Sequence, residues 1–267
     1  MSHAAWDAVT PYLCTTRRVI AFDIAGFGLT PPLSDGTDPT AANLVDGLER
    51  SIRDLGIELP VEIAGNSLGG AMALEAATRG LARSVVAISP AGLWRQHPPH
   101  HVRYVFRGLR FMATNVTSLL RAAVQIAWLR EILLAVPISP GSARMPARDA
   151  SRAIDDLARS QAFERTFDHT RAPLSVRRIT VPVTVAFGDR DWILPKGSRC
   201  RNELPAHTTW IDKPGWGHVP MWIDPGGRSS EGVVMTATSI CPVWISCRIR
   251  SRLRSGRKFI RSSGCSS

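Results

Sequence analysis

Two kinds of hydrophobic pattern alternate along the first ninety residues. Short apolar runs at 17–22 (RRVIAF), 61–64 (VEIA) and 84–89 (SVVAIS) predict buried strands, because a strand covered on both faces loses its polar alternation. Between them, residues 43–55 (NLVDGLERSIRDL) place Leu44, Val45, Leu48, Ile52 and Leu55 at helical spacing, and 71–77 is a second helix-forming stretch. The order strand, helix, strand, helix, strand predicts an α/β fold with a mostly parallel sheet covered on both faces. Ahead of it, 4–13 (AAWDAVTPYL) sets Trp6, Val9 and Leu13 on one side of an amphipathic helix that also contains Pro11.

Beyond residue 93 the pattern changes. From 94 to 175 only helical stretches bearing arginines occur, bounded by His97-Pro98-Pro99-His100 and by Ala172-Pro173, which predicts a helical insertion. Arg103, Arg107 and Arg110 fall on one solvated basic face, while Tyr104 and Phe111 share a packing face. Strand character resumes at 181–187 (VPVTVAF) and weakly at 208–211. The expected organisation is therefore a core in two parts, 1–93 and 176–225, interrupted by a helical cap at 94–175 and followed by a tail at 226–267. That tail is Ser/Arg-rich without apolar periodicity and is expected to be disordered, apart from a strand-like stretch at 233–240.

Composition narrows the classes. A chain of 267 residues, 44% hydrophobic, can bury one substantial core. Arg121 and Arg130 interrupt its most hydrophobic region, 119–136, so no transmembrane segment is expected, and the opening MSHAAWDAVT lacks a secretory pattern. The expected address is cytoplasmic. Five cysteines without metal-ligand spacing imply free thiols, no metal site and no disulfide framework. Of the net charge of +11, the tail carries +7 and the remainder +4. With Phe259 alone among the tail's arginines, base stacking has no platform and no specific nucleic-acid partner is expected.

Candidate chemistry lies where the second apolar run ends. Gly65-Asn66-Ser67-Leu68-Gly69 fits G-x-S-x-G between a strand and a helix, a strained turn that lifts a serine hydroxyl above the strand end. A helix start merely capped by Ser67 is the plainer reading of that turn. An acid and a histidine follow in the order serine, acid, histidine: Gly188-Asp189-Arg190-Asp191, then Gly217-His218-Val219-Pro220. Serine is a weak nucleophile, so an imidazole must take its proton while a carboxylate fixes the imidazole tautomer.

These loops, together with Asp23-Ile24-Ala25-Gly26-Phe27-Gly28 after the first strand, resemble the α/β-hydrolase superfamily, specifically its serine-nucleophile members with a helical cap. The resemblance runs from about residue 4 to 225. It implies Ser67 as nucleophile, His218 as base, Asp191 as the orienting acid and the Leu68 amide as an oxyanion donor. Asn66 and Phe27 are assigned to substrate binding. Asp189 is the rival acid; the family's acid stands three residues after the glycine, here Gly188, which favours Asp191. The cap is expected to cover Ser67 and form an apolar pocket edged with arginine.

Two departures from the family pattern carry expectations of their own. The family begins with additional strands and an oxyanion loop, whereas this chain starts close to the first helix, with His3 near the place of the family's His-Gly pair. It therefore reads as N-terminally truncated, with the strands matching 17–22 and 61–64 either pairing directly or left with exposed edges, and with weak activity. The expected function is hydrolysis of an ester, or of a carbon–carbon bond next to a carbonyl, in a small-molecule substrate and without a cofactor. The alternative is a non-catalytic product of the same fold whose basic tail binds polyanions nonspecifically.

Overall fold

The computed structural model describes residues 2–15, 17–169, 174 and 176–226, together with the backbone of 243–247. One six-stranded sheet runs through it: β1 (Arg18–Phe22), β2 (Val61–Asn66), β3 (Ala82–Ile88), β4 (Val183–Gly188), β5 (Thr209–Lys213) and β6 (Val243–Cys247), in the spatial order β1-β6-β2-β3-β4-β5. Strands β2 to β5 are parallel, with Ala64 opposite Val86 and Ala186 opposite Ile211. The apolar runs thus become strands within a residue or two of their expected limits.

Side-chain alternation sends the buried residues of each strand to two cores. Ile63, Val85, Val185 and Phe187 join Leu44, Val45, Leu48 and Ile52 of α2 (Ala41–Asp54) and Met72 and Leu74 of α3 (Leu68–Thr78) on one face. Ala64, Val86, Ile88 and Ala186 join Trp6, Val9, Leu13 and Met221 on the other. Helix α2 begins where the Thr40 hydroxyl accepts from the Asn43 amide at 3.2 Å, which satisfies one orphan N–H of its first turn. The N-terminal segment is not one helix: a 3-10 turn at His3–Trp6 precedes the short α1 (Thr10–Leu13). Pro11 sits in the first turn of α1, where its missing N–H costs nothing, and so starts a helix instead of continuing one.

Between β3 and β4 the chain forms α4 (His100–Asn115), α5 (Thr117–Ala123), α6 (Ala127–Leu134), α7 (Ala147–Arg159) and α8 (Phe163–His169), with no strand among the described residues of that stretch. Helices α4 and α5 both pack on α7, which buries Ala150 and Ile154. Arg103 pairs with Asp168 and Arg107 with Glu164, so the basic face of α4 is neutralised by α8. Tyr104 and Phe111, expected to pack, are 73% and 68% exposed, because α4 turns its Val102 and Ala113 side inward. No helix of the described residues is long and apolar enough to cross a membrane.

The C-terminal region corrects two expectations. Strand β6 lies antiparallel between β1 and β2, with Ile245 opposite both Ile20 and Ile63, so these two strands neither pair directly nor leave open edges on that side. A gap one strand wide bordered by unpaired N–H and C=O groups is costly, and the backbone of β6 supplies partners on both sides of it. At least this piece of the expected disordered tail is therefore sheet; the stretch at 233–240 and the arginine-rich residues 248–267 lie outside the described residues.

Candidate active site

Strand β2 delivers Ser67 into a backbone conformation of φ 52° and ψ −118°, outside the regions a serine ordinarily occupies. Neighbouring bonds hold it there. The Ser67 amide donates to the Ile88 carbonyl at 2.9 Å, and its carbonyl accepts from Ala71 and Ala91. The turn demands glycine at position 65, where a Cβ would lie 1.9 Å from the Gly69 carbonyl oxygen. Leu68 opens α3, so its amide belongs to the first turn, where helical N–H groups have no intrahelical acceptor.

His218 and Asp191 meet as the sequence order requires. The His218 Nδ1 lies 3.1 Å from each Asp191 carboxylate oxygen, and both residues are buried. Asp191 Oδ1 also accepts from the amides of Ile193 and Leu194 at 3.0 and 2.9 Å. Burial by itself pushes the Asp191 carboxyl up, yet the His218 imidazole and the Leu194 amide together hold it below its ordinary value. The group is thus a carboxylate aimed at one ring nitrogen. Nε2, the other ring nitrogen, is buried without a hydrogen-bond partner. Asp189, the rival acid, is exposed and accepts from the Gly215 amide at 2.7 Å, as a turn carboxylate does.

Ser67, Leu68 and His218 line one cavity of about 230 Å³, floored by the sheet edge and roofed by α4 to α8. Phe27 lines it too, from a loop closed by the Asp23 carboxylate, which accepts from the Leu29 amide at 2.9 Å. Asn66 lines the same cavity, but its side-chain amide donates to the carbonyls of Ile88 and His218 at 3.2 and 2.7 Å. Its described bonds therefore go to the end of β3 and to the histidine loop. The expected arginine edge is absent among the residues lining this cavity; Arg110 instead donates to the Ser160 carbonyl and hydroxyl.

One contributor carries no sequence signal. Ser139, in the helical insertion, accepts from the Gly217 amide through its hydroxyl at 2.8 Å, and the Ile138 carbonyl accepts from Val219 at 2.8 Å, so the insertion grips the histidine loop on both sides of His218. His3 donates its amide to Asp23 at 2.6 Å and places its Nδ1 3.0 Å from the same oxygen, which anchors the N-terminal turn beside the cavity, where Ala5 is part of the lining. Among the described residues no cluster of His, Cys, Asp and Glu is arranged to hold a metal ion.

Comparison with known proteins places the chain in a family. Residues 1–225 match the model of the alpha/beta hydrolase fold family. Epoxide hydrolase EphH of Mycobacterium tuberculosis is 32% identical over 213 residues, spanning 76% of this chain and 97% of that protein. Among solved structures, a thermophilic esterase from Thermogutta terrifontis superposes with a TM-score of 0.57 at 17% identity, over 84% of this chain and 81% of that one. The meta-cleavage product hydrolase of Pseudomonas fluorescens IP01 does so at 0.59 and 19%, over 82% and 79%. With the family model covering most of its length and these folds superposing on its sheet, the chain belongs to the α/β-hydrolase fold family of enzymes.

Proposed function

We propose that this chain hydrolyses carboxylic esters through Ser67, His218 and Asp191. The observation that carries the reading is His218: one ring nitrogen is fixed on the Asp191 carboxylate, the other is buried and unpartnered, and the residue lines the same cavity as Ser67. In the first half-reaction the Ser67 oxygen bonds to the ester carbonyl carbon while His218 Nε2 takes its proton. The carbonyl oxygen becomes an oxyanion facing the Leu68 amide. Its collapse breaks the ester C–O bond, and the departing alkoxide takes the proton from His218, which leaves an acyl-serine. Water then attacks the same carbon and gives a proton to Nε2; collapse returns that proton to Ser67 and releases the carboxylic acid. One water is consumed and one acid and one alcohol are formed.

The nucleophile type argues against the activity named for the mycobacterial relative. Attack of a serine oxygen on an epoxide carbon yields an ether, which has no carbonyl for water to attack, so the enzyme would stall after one event. Cleavage of a carbon–carbon bond must expel a carbanion, a much stronger base and poorer leaving group than the alkoxide of an ester. Esters demand neither.

A fluorophosphonate probe tests the proposal. It is expected to label the chain and to fail on Ser67→Ala, with hydrolysis of p-nitrophenyl esters lost in parallel. Equal labelling and turnover in that variant would remove Ser67 from the mechanism.

A further inference from the structure

The cavity over Ser67 is lined, apart from Asn66, Ser67 and His218, by apolar side chains such as Leu109, Leu133, Ile154, Leu157 and Phe163. The described contacts of those three polar residues are already assigned: the Asn66 amide donates to two main-chain carbonyls, Ser67 is the attacking group and His218 is held by Asp191. The arginines of the roof are directed elsewhere. Arg103 and Arg107 pair with Asp168 and Glu164, Arg110 donates to Ser160, and Arg130 is buried on the carbonyls of Val124 and Ala143. A charged group on the part of a substrate that fills this cavity would lose its hydration and meet no partner of opposite sign.

From this lining we infer that the substrate is a neutral ester whose cavity-filling portion is uncharged and apolar, and that esters of dicarboxylic acids or of carboxylated alcohols are rejected. The inference rests on the ester-hydrolase reading above. It assigns discrimination to the missing cation and not to size, so a single introduced arginine changes the preference. Leu133 is the position for it, being part of the lining yet only partly buried, which leaves the stem of an arginine room to extend.

Rates on p-nitrophenyl hexanoate and phenyl hexanoate are compared with those on two charged counterparts, the p-nitrophenyl half-ester of adipic acid and 4-(hexanoyloxy)benzoate. At least one charged ester, the one whose charged end enters the cavity, is expected to lose about a hundredfold in kcat/KM, and capping its carboxylate as a methyl ester restores the rate. Leu133→Arg is expected to narrow that gap by about tenfold or more. Both charged esters turned over within tenfold of their neutral partners would overturn the inference while leaving the triad standing. If no ester is hydrolysed and the probe does not label Ser67, the catalytic reading fails instead. A thermal-shift titration of Ser67→Ala with methyl hexanoate and monomethyl adipate then reads the cavity without chemistry: greater stabilisation by the neutral ester supports the inference, and equal or reversed stabilisation overturns it.

Discussion

The side-chain amide of Asn66 donates to the main-chain carbonyl of His218 at 2.7 Å, tying the residue before Ser67 to the proposed catalytic histidine. Removing this tie leaves the triad side chains intact but frees the loop that carries one of them. Asn66→Ala is expected to lower kcat by about ten- to a hundredfold with little change in KM, since a displacement of about 1 Å at a reacting group has costs of that order. Steady-state kinetics on a p-nitrophenyl ester measure it. An unchanged kcat would mean that the Ser139 and Ile138 bonds to the neighbouring residues suffice to hold His218.

The elbow stores strain that separates stability from activity. Ser67→Gly relieves a positive φ and is expected to raise the unfolding free energy by about 1 kcal/mol, or about 2–4 °C in Tm, while turnover falls by several orders of magnitude. Gly65→Ala acts oppositely: its methyl would lie 1.9 Å from backbone oxygen, and a loss of about 3 kcal/mol or more is expected. Calorimetry of both variants distinguishes the effects, and a Ser67→Gly protein no more stable than its parent would show that the turn is not strained.

Acid and alkali act on the His3–Asp23 pair in opposite senses. Burial raises the Asp23 carboxyl, but bonds from the His3 ring and from the Leu29 and His3 amides hold it below its ordinary 3.8; its stabilisation is present above that value and is lost as pH falls through the lowered one. The bond to Asp23 raises His3 above 6.5, against the opposing effect of burial, so its contribution is complete below 6.5 and is lost as pH rises through the raised value. Thermal melts of Asp23→Asn against pH are expected to show a shallower acid limb, and those of His3→Gln a smaller loss of stability above pH 6.5. Superimposable pH profiles would exclude the pair as a source of either limb.

Arg199 stands behind Asp191, the proposed acid, and is not among the residues that line the cavity. Its Nε donates to the Leu194 carbonyl at 2.6 Å, and its guanidinium lies 4.5 Å from the centre of the Phe187 ring, so it clamps the loop whose amides orient Asp191. Arg199→Met keeps much of the stem's packing but removes the clamp. A drop in kcat of about tenfold, with KM retained and fluorophosphonate labelling slowed in proportion, is expected for a positioning role. Labelling at the parental rate would refute it.

The legible parts of this molecule were those in which local chemistry and local chain geometry coincide. Gly65, Ser67 and Gly69 announce a turn that only small residues allow, and Gly188 to Asp191 announce another, so Ser67 and Asp191 stand out as candidates from local sequence alone. Helix α2 was equally plain, because Leu44, Leu48 and Ile52 repeat at the helical period. What escaped depended on partners distant in sequence. Tyr104 and Phe111 looked like a packing face, yet which side of α4 turns inward is decided by α7. The cap as a whole reads as supplying an arginine edge to the pocket, yet no arginine lines the cavity, and two arginines of α4 pair with Asp168 and Glu164 of α8. Ser139 has no motif at all; its role comes from lying beside the Gly217 amide.

Strand β6 imposes an order of events on folding. The edges it joins belong to β1 and β2, but the segment that joins them lies more than 170 residues beyond β2 in the chain. Local helices and the β2-to-β3 unit can form while a large part of the chain is still being synthesised; closure of the sheet waits for its most distant contact, and contacts of that kind set slow folding rates. During the interval two facing strand edges stand open to any extended chain, including those of other molecules. Refolding should therefore be slow, with a yield that falls as protein concentration rises; a concentration-independent yield would mean that the slot is protected before β6 arrives. The last of the described strands is one the sheet needs in its interior, so for this enzyme the hazard of misassembly is concentrated in the time between synthesis of β2 and synthesis of β6.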